Sequence, residues 1–362
     1  MENDIRIMKG NEALAEAALR AGLKAYFGYP ITPQSEIMEY LAVHAPSRGR
    51  LVLQAESELA AINMIYGASG AGARVMTSSS GPGISLMQEG ISYMASAELP
   101  CVIVNVQRGG PGLGTIQPSQ GDYFQAVKGG GHGDYRMIVL APASVQEMAD
   151  FVFDAFRLAE KYRTPAMILA DGALGQMMEK VQLPDDGSLP HTVPAWATTG
   201  KTPDRERNIL TSLFIQPERM EQVNLHLQKK YAEIRQHETR CELIQTEDAD
   251  IVLVAFGLSA RVAQKSLALA RAKGLRVGLI RPITLFPFPS EIIADTALLV
   301  DAFLTVEMNA GQMVEDVRLA VDGKRPVYFA GRMGGMIPTP EEVLASIEAV
   351  AEQHLTSFAE RM

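Results

Sequence analysis

The chain has 362 residues, and its 42 Asp and Glu outnumber its 33 Lys and Arg, which gives a formal net charge of −9. Aromatic residues make up only 6% of this acidic sequence, so it lacks the basic, aromatic-rich character of nucleic-acid-binding proteins. At roughly 150 residues per domain, the length predicts two domains, each large enough to bury a core.

The sequence shows no segment of the kind that enters or crosses a membrane. No apolar run reaches the roughly 20 residues that a spanning helix needs, and the N-terminus is too charged for a signal peptide. The two cysteines, Cys101 and Cys241, lie far apart, and neither belongs to a C-x-x-C pair. This spacing argues against a disulfide framework, a zinc site or an iron–sulfur cluster within the chain. We therefore expect a reducing, cytoplasmic location.

The first half of the chain alternates short apolar runs with longer amphipathic segments. The runs predict strands at Ala25–Gly28, Leu51–Gln54, Val75–Thr77, Cys101–Gln107, Met137–Leu140 and Ala166–Ala170. The segments between them predict helices at Asn11–Ala21, Gln34–His44, Ser57–Ser69, Ile84–Ala95 and Ser144–Lys161. Strands separated by helices of this length are typical of βαβ units. We therefore predict an α/β fold with a parallel sheet that helices cover on both faces.

The character of the sequence changes near Leu183. Four prolines fall within Leu183–Pro203 among glycines and polar residues, which indicates a linker or a surface excursion. A polar helix is predicted over Pro217–Thr239, and its apolar face either holds the two halves of the chain together or contacts a partner. That face carries Met220, Val223, Leu227, Tyr231 and Ile234.

The α/β alternation resumes after Asp250. Strands are predicted at Ile251–Phe256, Arg276–Ile280, Leu298–Val306 and Val327–Phe329, and helices at Ser259–Ala272, Gln312–Val321 and Glu341–Glu352. This pattern predicts a second, smaller α/β domain. The expected division is a first domain over 1–185, a linker with the polar helix over 186–246, and the second domain over 247–362.

Several polar or glycine-rich loops directly follow predicted strands of the first domain. They are Tyr29–Pro33, the pair Glu56 and Glu58, Ser80–Gly81 and Arg108–Gly110. Each loop taken alone is explained by a tight turn between a strand and a helix. The carboxyl ends of parallel strands share one edge of a sheet, and ligands of open α/β sheets bind there. The loops together therefore indicate a ligand site.

Three of these residues have side chains suited to chemistry. Thr32 lies between two prolines that hold its backbone away from helix, so its hydroxyl could meet a ligand. Glu58 lies in the first turn of a helix, where the helix dipole alone would favour a carboxylate; a buried Glu58 could instead share a proton with a ligand nitrogen. Arg108 could form a salt bridge at the sheet edge or bind a substrate carboxylate through two parallel hydrogen bonds.

Other familiar motifs are missing or weak. The sequence contains no G-x-x-x-x-G-K-[ST] loop, no G-x-S-x-G elbow and no H-E-x-x-H pair, and Gly109–Gly114 lacks the spacing of a dinucleotide-binding loop. His132 lies in a glycine-rich loop, which we interpret as a turn rather than as a metal site. We predict no metal ligands in this chain.

The loops resemble those of one known family, the α subunits of 2-oxoacid:ferredoxin oxidoreductases. The matching strings are Gly28–Glu36 (GYPITPQSE), Gln54–Ala61 (QAESELAA), Thr77–Gly83 (TSSSGPG) and Gln107–Pro111 (QRGGP). The likeness continues through Gly131–Asp134, Ala141–Ser144 and the second domain, so it covers nearly the whole chain. Ile116–Gln120 and Gly331–Gly335 are most similar to the branched-chain, 2-oxoisovalerate type.

The resemblance implies a fold and a cofactor. The first domain would be a pyrimidine-binding domain of the thiamine-diphosphate fold, and the second would be transketolase C-terminal-like. Glu58 matches the glutamate that hydrogen-bonds the aminopyrimidine ring of thiamine pyrophosphate and so activates the cofactor. Tyr29, Ser80 and Gly81 would line the cofactor pocket.

The same resemblance implies a substrate, a reaction and partners. Arg108 would pair with the carboxylate of the 2-oxoacid, and Thr32 would hydrogen-bond nearby. A branched-chain 2-oxoacid would be decarboxylated oxidatively with coenzyme A, giving an acyl-CoA and CO₂ while electrons pass to ferredoxin. A β subunit would carry the diphosphate half of the site with Mg²⁺ and a 4Fe-4S cluster. Further γ and ferredoxin-like δ subunits are expected, so the isolated chain would be inactive.

Three alternatives stay open at this point. The substrate could be 2-oxoglutarate or pyruvate, as in close relatives of the branched-chain type. The chain could also be a non-catalytic scaffolding subunit. A nicotinamide-dependent dehydrogenase is disfavoured because the dinucleotide-binding fingerprint is missing.

Overall fold

A computed structural model describes residues 4–359 and folds them around three β-sheets. The strands in chain order are β1 (Asp4–Lys9), β2 (Ala25–Gly28), β3 (Leu51–Gln54), β4 (Val75–Ser79), β5 (Cys101–Gln107), β6 (Ile138–Leu140), β7 (Pro165–Asp171), β8 (Met178–Leu183), β9 (Cys241–Ile244), β10 (Ile251–Val254), β11 (Val277–Pro282), β12 (Thr284–Phe286), β13 (Ala302–Glu307) and β14 (Val327–Gly331). The helices are α1 (Gly10–Arg20), α2 (Ser35–His44), α3 (Glu58–Gly70), α4 (Gly81–Ser96), α5 (Tyr123–Val127), α6 (Val145–Tyr162), α7 (Gly172–Gln176), α8 (Pro217–Glu238), α9 (Gly257–Ala272), α10 (Ser290–Thr296), α11 (Met313–Val321) and α12 (Pro340–Ala359), with a 3₁₀ turn at Pro46–Arg48.

The largest sheet has seven strands in the order β12-β6-β7-β5-β4-β2-β3. All neighbouring strands run parallel except β12, which is antiparallel to β6. Strands β4, β5 and β7 are buried along their whole length. Right-handed crossovers that lead in opposite directions along a sheet place their helices on opposite faces. Accordingly, the helices form two groups: α1 packs against α2 and α6, and α3 packs against α4. The predicted α/β fold with a parallel sheet is confirmed.

The first-half predictions match the structure to within a few residues at element ends. Three strands have the predicted bounds, β2, β3 and β5. The predicted helix over Ser57–Ser69 begins at Glu58 because Ser57 is its N-cap, with the Ser57 Oγ accepting the Ala60 amide at 3.2 Å. The buried stripe of this helix includes Ile62 and Ile65, whereas Leu59 is exposed.

The second large sheet has five strands in the order β14-β13-β10-β11-β9, and only β9 runs antiparallel to its neighbour. The predicted strand Leu298–Val306 is wrong at its start, because β13 begins at Ala302. Residues 298–301 form a turn that follows the unpredicted helix α10, and Leu298 and Leu299 are exposed despite their apolar character.

The two large sheets exchange strands. Thr284 in β12 lies opposite Leu140 in β6, so a segment from the second half of the chain becomes the edge of the seven-stranded sheet. Conversely, β9 lies before the second α/β pattern in the sequence but belongs to the five-stranded sheet. It pairs there with β11, so that Cys241 lies opposite Pro282. The third sheet pairs β1 with β8, so that Asp4 lies opposite Leu183. Strands β1, β8, β9 and β12 were not predicted.

Helix α8 packs on the first half of the molecule. Its buried residues include Leu227, Tyr231 and Ile234, in agreement with the predicted apolar face. Glu98 accepts a hydrogen bond from Lys230 at 2.9 Å, and the Tyr231 ring lies edge-on to Phe286 of β12, with 6.2 Å between centroids. Among residues 4–359, no helix combines the length and apolar character needed to cross a bilayer.

Gln120 joins the loops of the two large sheets through a buried side-chain amide that forms hydrogen bonds with both its oxygen and its nitrogen. Its Oε1 accepts from the Met308 amide at 3.0 Å and from Ser259 Oγ at 2.7 Å, and its Nε2 donates to the Phe256 carbonyl at 2.8 Å. Asn309 Nδ2 donates to the Gln120 carbonyl at 2.8 Å. Because a buried amide is costly unless it is paired, this network fixes the relative position of the two sheets.

Asp171 lies at the same junction and makes the stability of the fold depend on pH. It is 1% exposed and accepts the amides of Ala173 and Leu174 at 2.9 and 3.1 Å. Burial raises the pKa of Asp171 to about 6, although these two bonds and one from the Leu258 amide act in the opposite direction. The folded protein therefore holds this proton more tightly than the unfolded chain does.

The stabilising contribution of protonated Asp171 is present below about pH 4 and is lost as the pH rises through about 6. We expect the free energy of unfolding of the natural protein, relative to that of Asp171→Asn, to fall across this window. Urea unfolding at several pH values measures the difference. A difference that rises with pH, or that stays constant, would contradict this assignment.

Candidate active site

Four loops lie along one edge of the seven-stranded sheet, after the parallel strands β2, β3, β4 and β5. The expectation that these loops share an edge is confirmed. In the strand order, β3 lies next to β2 towards one edge strand of the sheet, whereas β5 lies next to β4 towards the opposite edge strand. The connections from β2 to β3 and from β4 to β5 therefore lead in opposite directions. Because β2 and β4 are neighbours, the sheet has a switch point between them, which is where open α/β sheets bind ligands.

Glu58 is a buried carboxylate with few partners. It is 5% exposed, and because Ser57 caps α3, the carboxylate is not needed as a cap. Ser79 Oγ donates to Glu58 Oε1 over 3.4 Å, and this is the carboxylate's only side-chain hydrogen bond among the residues that the structure describes. Desolvating a carboxylate is costly unless donors compensate. Glu58 is therefore suited to accept a hydrogen bond from a ligand.

Gly83 makes room for this carboxylate. A Cβ at position 83 would collide with both Ser79 Oγ and Glu58 Oε1. We therefore expect Gly83→Ala to displace Glu58 and to lower catalytic turnover by at least tenfold. The matched control is Gly67→Ala in α3, where a Cβ meets no atom within 4 Å, and where alanine should stabilise the helix by about 0.5–1 kcal/mol. Turnover and thermal unfolding of both variants test this; equal activity of the two would contradict it.

A chain of buried hydrogen bonds fixes the turn after β2. Tyr26 OH and Ser78 Oγ are 2.7 Å apart, Ser78 donates to Gln34 Oε1 at 2.5 Å, and Gln34 Nε2 donates to the Tyr29 carbonyl at 3.3 Å. Burial raises the pKa of Tyr26, which keeps its hydroxyl protonated as the donor to Ser78. Tyr29 itself remains 36% exposed at the sheet edge.

Arg108 and Thr32 are in direct contact. Arg108 Nη1 donates to the Thr32 carbonyl at 2.9 Å and Nη2 donates to the Leu113 carbonyl at 3.1 Å, while Nε is buried without a hydrogen-bond partner. Thr32 is exposed, and its peptide bond to Pro33 is cis. Arg108 forms no salt bridge within the described part of the chain, so the sheet-edge salt bridge considered above is absent there. Its guanidinium donates only to backbone carbonyls among the described residues, with the carboxyl of Asp122 on the cavity that Arg108 also lines, and it can still bind an anion.

Arg108 and Gly81 border one cavity. This cavity has a volume of about 370 Å³ and is lined by Gly81, Pro82, Ser85, Asp122 and the stretch from Arg108 to Gly112. The structure thus brings Arg108, Thr32 and Gly81 together, while Glu58 lies next to Ser79, the last residue of β4. No hydrogen bond joins Glu58 to Arg108 among the described residues, and the roles predicted for both remain predictions.

Sequence reasoning missed Asp122 and Asn105. Asn105 is fully buried in β5, and its Nδ2 donates to Asp122 Oδ2 at 2.9 Å. Burial raises the pKa of Asp122, while the bonds from Asn105 and the Gly81 amide and the charge of Arg108 act in the opposite direction. The one available signal was a carboxylate in a loop shortly after Arg108, which is too common to single out.

Strand β4 and the residue that follows it carry two buried hydroxyl groups besides those of Ser78 and Ser79. Thr77 Oγ1 and Ser80 Oγ are buried, and neither has a hydrogen-bond partner among the described residues. Unpaired buried hydroxyls are uncommon because each loses its hydration without compensation. The Glu58 carboxylate and the Ser80 hydroxyl, both at this edge of the sheet, are groups that suit a ligand with ring nitrogens and an amino group. The described residues include no cluster of three or more His, Cys, Asp or Glu side chains that could hold a metal ion.

Comparison with known proteins agrees with this chemistry. The family profile described as pyruvate flavodoxin/ferredoxin oxidoreductase, thiamine-diphosphate-binding, matches residues 16–245. The profile described as pyruvate:ferredoxin oxidoreductase core domain II matches residues 249–343. The two matches together span most of the chain.

Individual relatives agree with these profiles. The ketoisovalerate oxidoreductase subunit VorB of Methanothermobacter marburgensis is 53% identical, over 96% of this chain and 98% of its own length. The 2-oxoglutarate synthase subunit KorA of the same organism is 38% identical, over 94% and 97% of the two chains.

A solved structure resembles the whole chain. It is a 2-oxoglutarate:ferredoxin oxidoreductase from Magnetococcus marinus with 2-oxoglutarate, coenzyme A and succinyl-CoA bound, with a TM-score of 0.86 and 30% identity. The match covers 96% of the present chain and 65% of that longer one. The chain described here therefore belongs to the 2-oxoacid:ferredoxin oxidoreductases.

Proposed function

We propose that this chain is the α subunit of a branched-chain 2-oxoacid:ferredoxin oxidoreductase. The reaction is the oxidative decarboxylation of a 2-oxoacid such as 2-oxoisovalerate with coenzyme A, which yields an acyl-CoA and CO₂ and passes two electrons to ferredoxin. The observation that carries this proposal is the buried, sparsely bonded Glu58 at the same sheet edge as Arg108, which forms no salt bridge within residues 4–359.

The branched-chain substrate is supported by a comparison within one organism. Methanothermobacter marburgensis has both a ketoisovalerate oxidoreductase subunit, 53% identical to this chain, and a 2-oxoglutarate synthase subunit, 38% identical. Because both relatives come from the same organism, the difference reflects the type of enzyme rather than the distance between species. The 2-oxoglutarate type is the second candidate, and the pyruvate type is the third.

Glu58 would hold the pyrimidine half of thiamine diphosphate. Its carboxylate would accept a hydrogen bond from the ring nitrogen and hold a proton there, and Ser80, Gly81 and Tyr29 would line the pocket. The buried acceptor and the unpaired Ser80 hydroxyl fit this group. When bound, thiamine diphosphate supplies the carbon nucleophile for the 2-oxo group.

Arg108 and Thr32 would position the 2-oxoacid. The Arg108 guanidinium can form two parallel hydrogen bonds to a carboxylate, which fixes both the position and the orientation of the substrate. Nε of Arg108 is buried and has no hydrogen-bond partner among the described residues, so a substrate carboxylate that reached it would satisfy this donor. The Thr32 hydroxyl would hydrogen-bond near the carboxylate or the oxo group.

Partner subunits complete this proposal. A β subunit would carry the diphosphate half-site with Mg²⁺ and a 4Fe-4S cluster, and γ and ferredoxin-like δ subunits would pass electrons on to ferredoxin. We also propose a cytoplasmic location, which suits the two free cysteines, Cys101 and Cys241. Alone, the chain would contribute half of a site and show no turnover.

We propose the domain division 1–185, 186–246 and 247–362. The change between the two family profiles, which end and begin at residues 245 and 249, supports it. Residues 1–3 and 360–362 of these ranges lie outside the described residues. The strands β9 and β12 cross this division in opposite directions.

The test is copurification of the tagged chain with its untagged partners, followed by viologen reduction with a panel of 2-oxoacids and coenzyme A. We expect 2-oxoisovalerate and other branched-chain acids to give the highest kcat/KM. A preference for 2-oxoglutarate would select the second candidate. A complex that binds thiamine diphosphate but reduces no acceptor with any 2-oxoacid would support a scaffolding subunit instead.

A further inference from the structure

The loop after strand β14, residues 332–337, packs against the loop that carries Arg108, and the proposed function gives it no role. These segments are called the β14 loop and, for residues 108–118, the Arg108 loop. We propose that the β14 loop positions Arg108 for the carboxylate of the substrate, so that the five-stranded sheet adjusts a site built on the seven-stranded one. The inference rests on the proposed function only in taking a 2-oxoacid as the ligand of Arg108.

The Arg108 loop is closed at its base by backbone contacts. Arg108 pairs with Pro118 in an isolated antiparallel bridge. The Gly109 amide donates to the Gln117 carbonyl at 2.9 Å, and the Thr115 amide donates to the Gly109 carbonyl at 2.7 Å. One hydrogen bond of the guanidinium also goes to a carbonyl within this loop. A shift of the closed base is therefore passed on to Arg108.

The β14 loop touches this base through glycines. A Cβ on Gly109 would lie 2.9 Å from both the Gly334 carbonyl carbon and the Gly335 amide nitrogen, so the two backbones are in contact. A Cβ on Gly335 would lie 2.5 Å from the Gln117 Cβ and 2.9 Å from the Thr115 Cγ2. Carbon atoms do not approach each other this closely without repulsion. The contact therefore requires glycine on both sides.

The β14 loop is itself anchored at its two ends. The Arg332 amide donates to the Glu307 carbonyl at 3.3 Å, and the Arg332 side chain forms an ion pair with Glu342 of α12. At the start of α12, the Thr339 amide donates to Glu342 Oε2 at 2.9 Å, and the Glu342 amide donates to Thr339 Oγ1 at 3.2 Å. The loop thus presents a fixed surface to the Arg108 loop.

The Arg108 loop has an anchor on each side. On the side of the seven-stranded sheet, Arg108 Nη1 donates to the Thr32 carbonyl at 2.9 Å. Just beyond the base of the loop, Ser119 Oγ and the Gln120 amide both donate to the Met308 carbonyl, at 3.2 and 3.0 Å, and this residue follows β13. The position of Arg108 relative to Thr32 therefore depends on the five-stranded sheet.

This arrangement predicts that a methyl group on Gly335 affects the substrate through Arg108. To restore an ordinary carbon–carbon contact of about 3.5 Å, the base of the Arg108 loop must shift by about 1 Å. A misplacement of about 1 Å in a group that orients a substrate costs up to about a hundredfold. Because Arg108 would bind the carboxylate that all 2-oxoacids share, the loss should not depend on the substrate side chain.

Two variants of the assembled complex test this: Gly335→Ala and, from the opposite side of the contact, Gly109→Ala. Gly335 has a φ of +94°, which strains an alanine whatever its neighbours. The matched control is Gly323→Ala, because Gly323 has a φ of +70° but a Cβ there meets no atom within 4 Å. Steady-state kinetics with 2-oxoisovalerate and with a straight-chain 2-oxoacid give KM and kcat. Calorimetric titration of the cofactor-depleted complex with thiamine diphosphate and Mg²⁺ gives the Kd.

We expect Gly335→Ala and Gly109→Ala to raise the KM of both acids by about tenfold or more and by similar factors, with a smaller fall in kcat. The Kd for thiamine diphosphate should stay unaltered, and Gly323→Ala should keep the natural KM. A KM in Gly335→Ala equal to that of the control would overturn the inference, and so would an effect confined to one acid. If strain prevents Gly335→Ala from assembling, Gly109→Ala decides, because Gly109 is not in the left-handed region.

Hydrogen exchange separates this inference from the proposed function. The amides of Gly109 and Thr115, which donate within the Arg108 loop, should exchange faster in Gly335→Ala than in the natural protein or in Gly323→Ala. If the natural complex turns over no 2-oxoacid, the proposed function fails, and the exchange rates still show whether the β14 loop holds the Arg108 loop. Unchanged exchange rates in Gly335→Ala would then overturn the inference as well.

Discussion

Glu58→Gln in the assembled enzyme is expected to lower turnover of 2-oxoacids by about a thousandfold, within the range of general acid–base catalysis. Glutamine has nearly the same volume, so the packing around this buried position stays intact. The amide cannot hold the proton that the carboxylate would hold at the ring nitrogen of the cofactor. Viologen reduction measures turnover, and size-exclusion chromatography shows whether the subunits still assemble.

Glu56→Gln is the matched control for this experiment. Glu56 lies in the turn before α3, two residues before Glu58, but it is exposed, whereas Glu58 is buried. We expect the Glu56 variant to retain full turnover. If Glu58→Gln assembles with its partners and turns over at a near-normal rate, then Glu58 has no catalytic role, and the chain is better described as a scaffold.

Arg108→Ala is expected to raise the KM for the 2-oxoacid by about a hundredfold, since truncating one partner of a hydrogen-bonded charge pair costs ~2–5 kcal/mol. The variant loses the guanidinium that would orient the carboxylate, so kcat should fall as well, though less than KM rises. Steady-state kinetics with varied 2-oxoacid at saturating coenzyme A separate the two parameters.

Arg136→Ala is the control for Arg108→Ala, because it also removes an arginine that holds loop carbonyls. Arg136 also donates to backbone carbonyls, those of Lys128 and Tyr135 at 3.5 and 3.0 Å, but it lies outside the candidate site. We expect its variant to keep the KM of the natural enzyme. An unchanged KM in Arg108→Ala would mean that another residue binds the substrate carboxylate. Arg108 would then only hold the backbone of Thr32 and Leu113 in place.

Much of the fold was predictable because it depends on local signals. The buried strands are continuous apolar runs, such as Cys101–Gln107, and the N-cap of α3 follows from Ser57 before an apolar helix. The sheet edge that carries the candidate site follows in turn, since parallel strands place their carboxyl ends together. Predicting the loops as one site required only the order of strands and helices.

The elements that were missed are fixed by distant partners. Strands β1 and β9 have largely exposed or half-buried patterns, so their apolar periodicity is weak, and they exist because β8 and β11 pair with them. The placement of Asp122 is similar, because its carboxylate is held by Asn105 of β5, 17 residues earlier in the chain. Single-sequence patterns carry no information about such pairings.

The exchanged strands predict how fragments of this protein would behave if they were expressed separately. Separate polypeptides for residues 1–246 and 247–362 would leave β6 without its edge partner β12 and would take β9 away from β11. Bare strand edges recruit other chains, so either fragment made alone is expected to aggregate. Simultaneous synthesis of both fragments is expected to let each edge find its partner, so the two large sheets form a single folding unit.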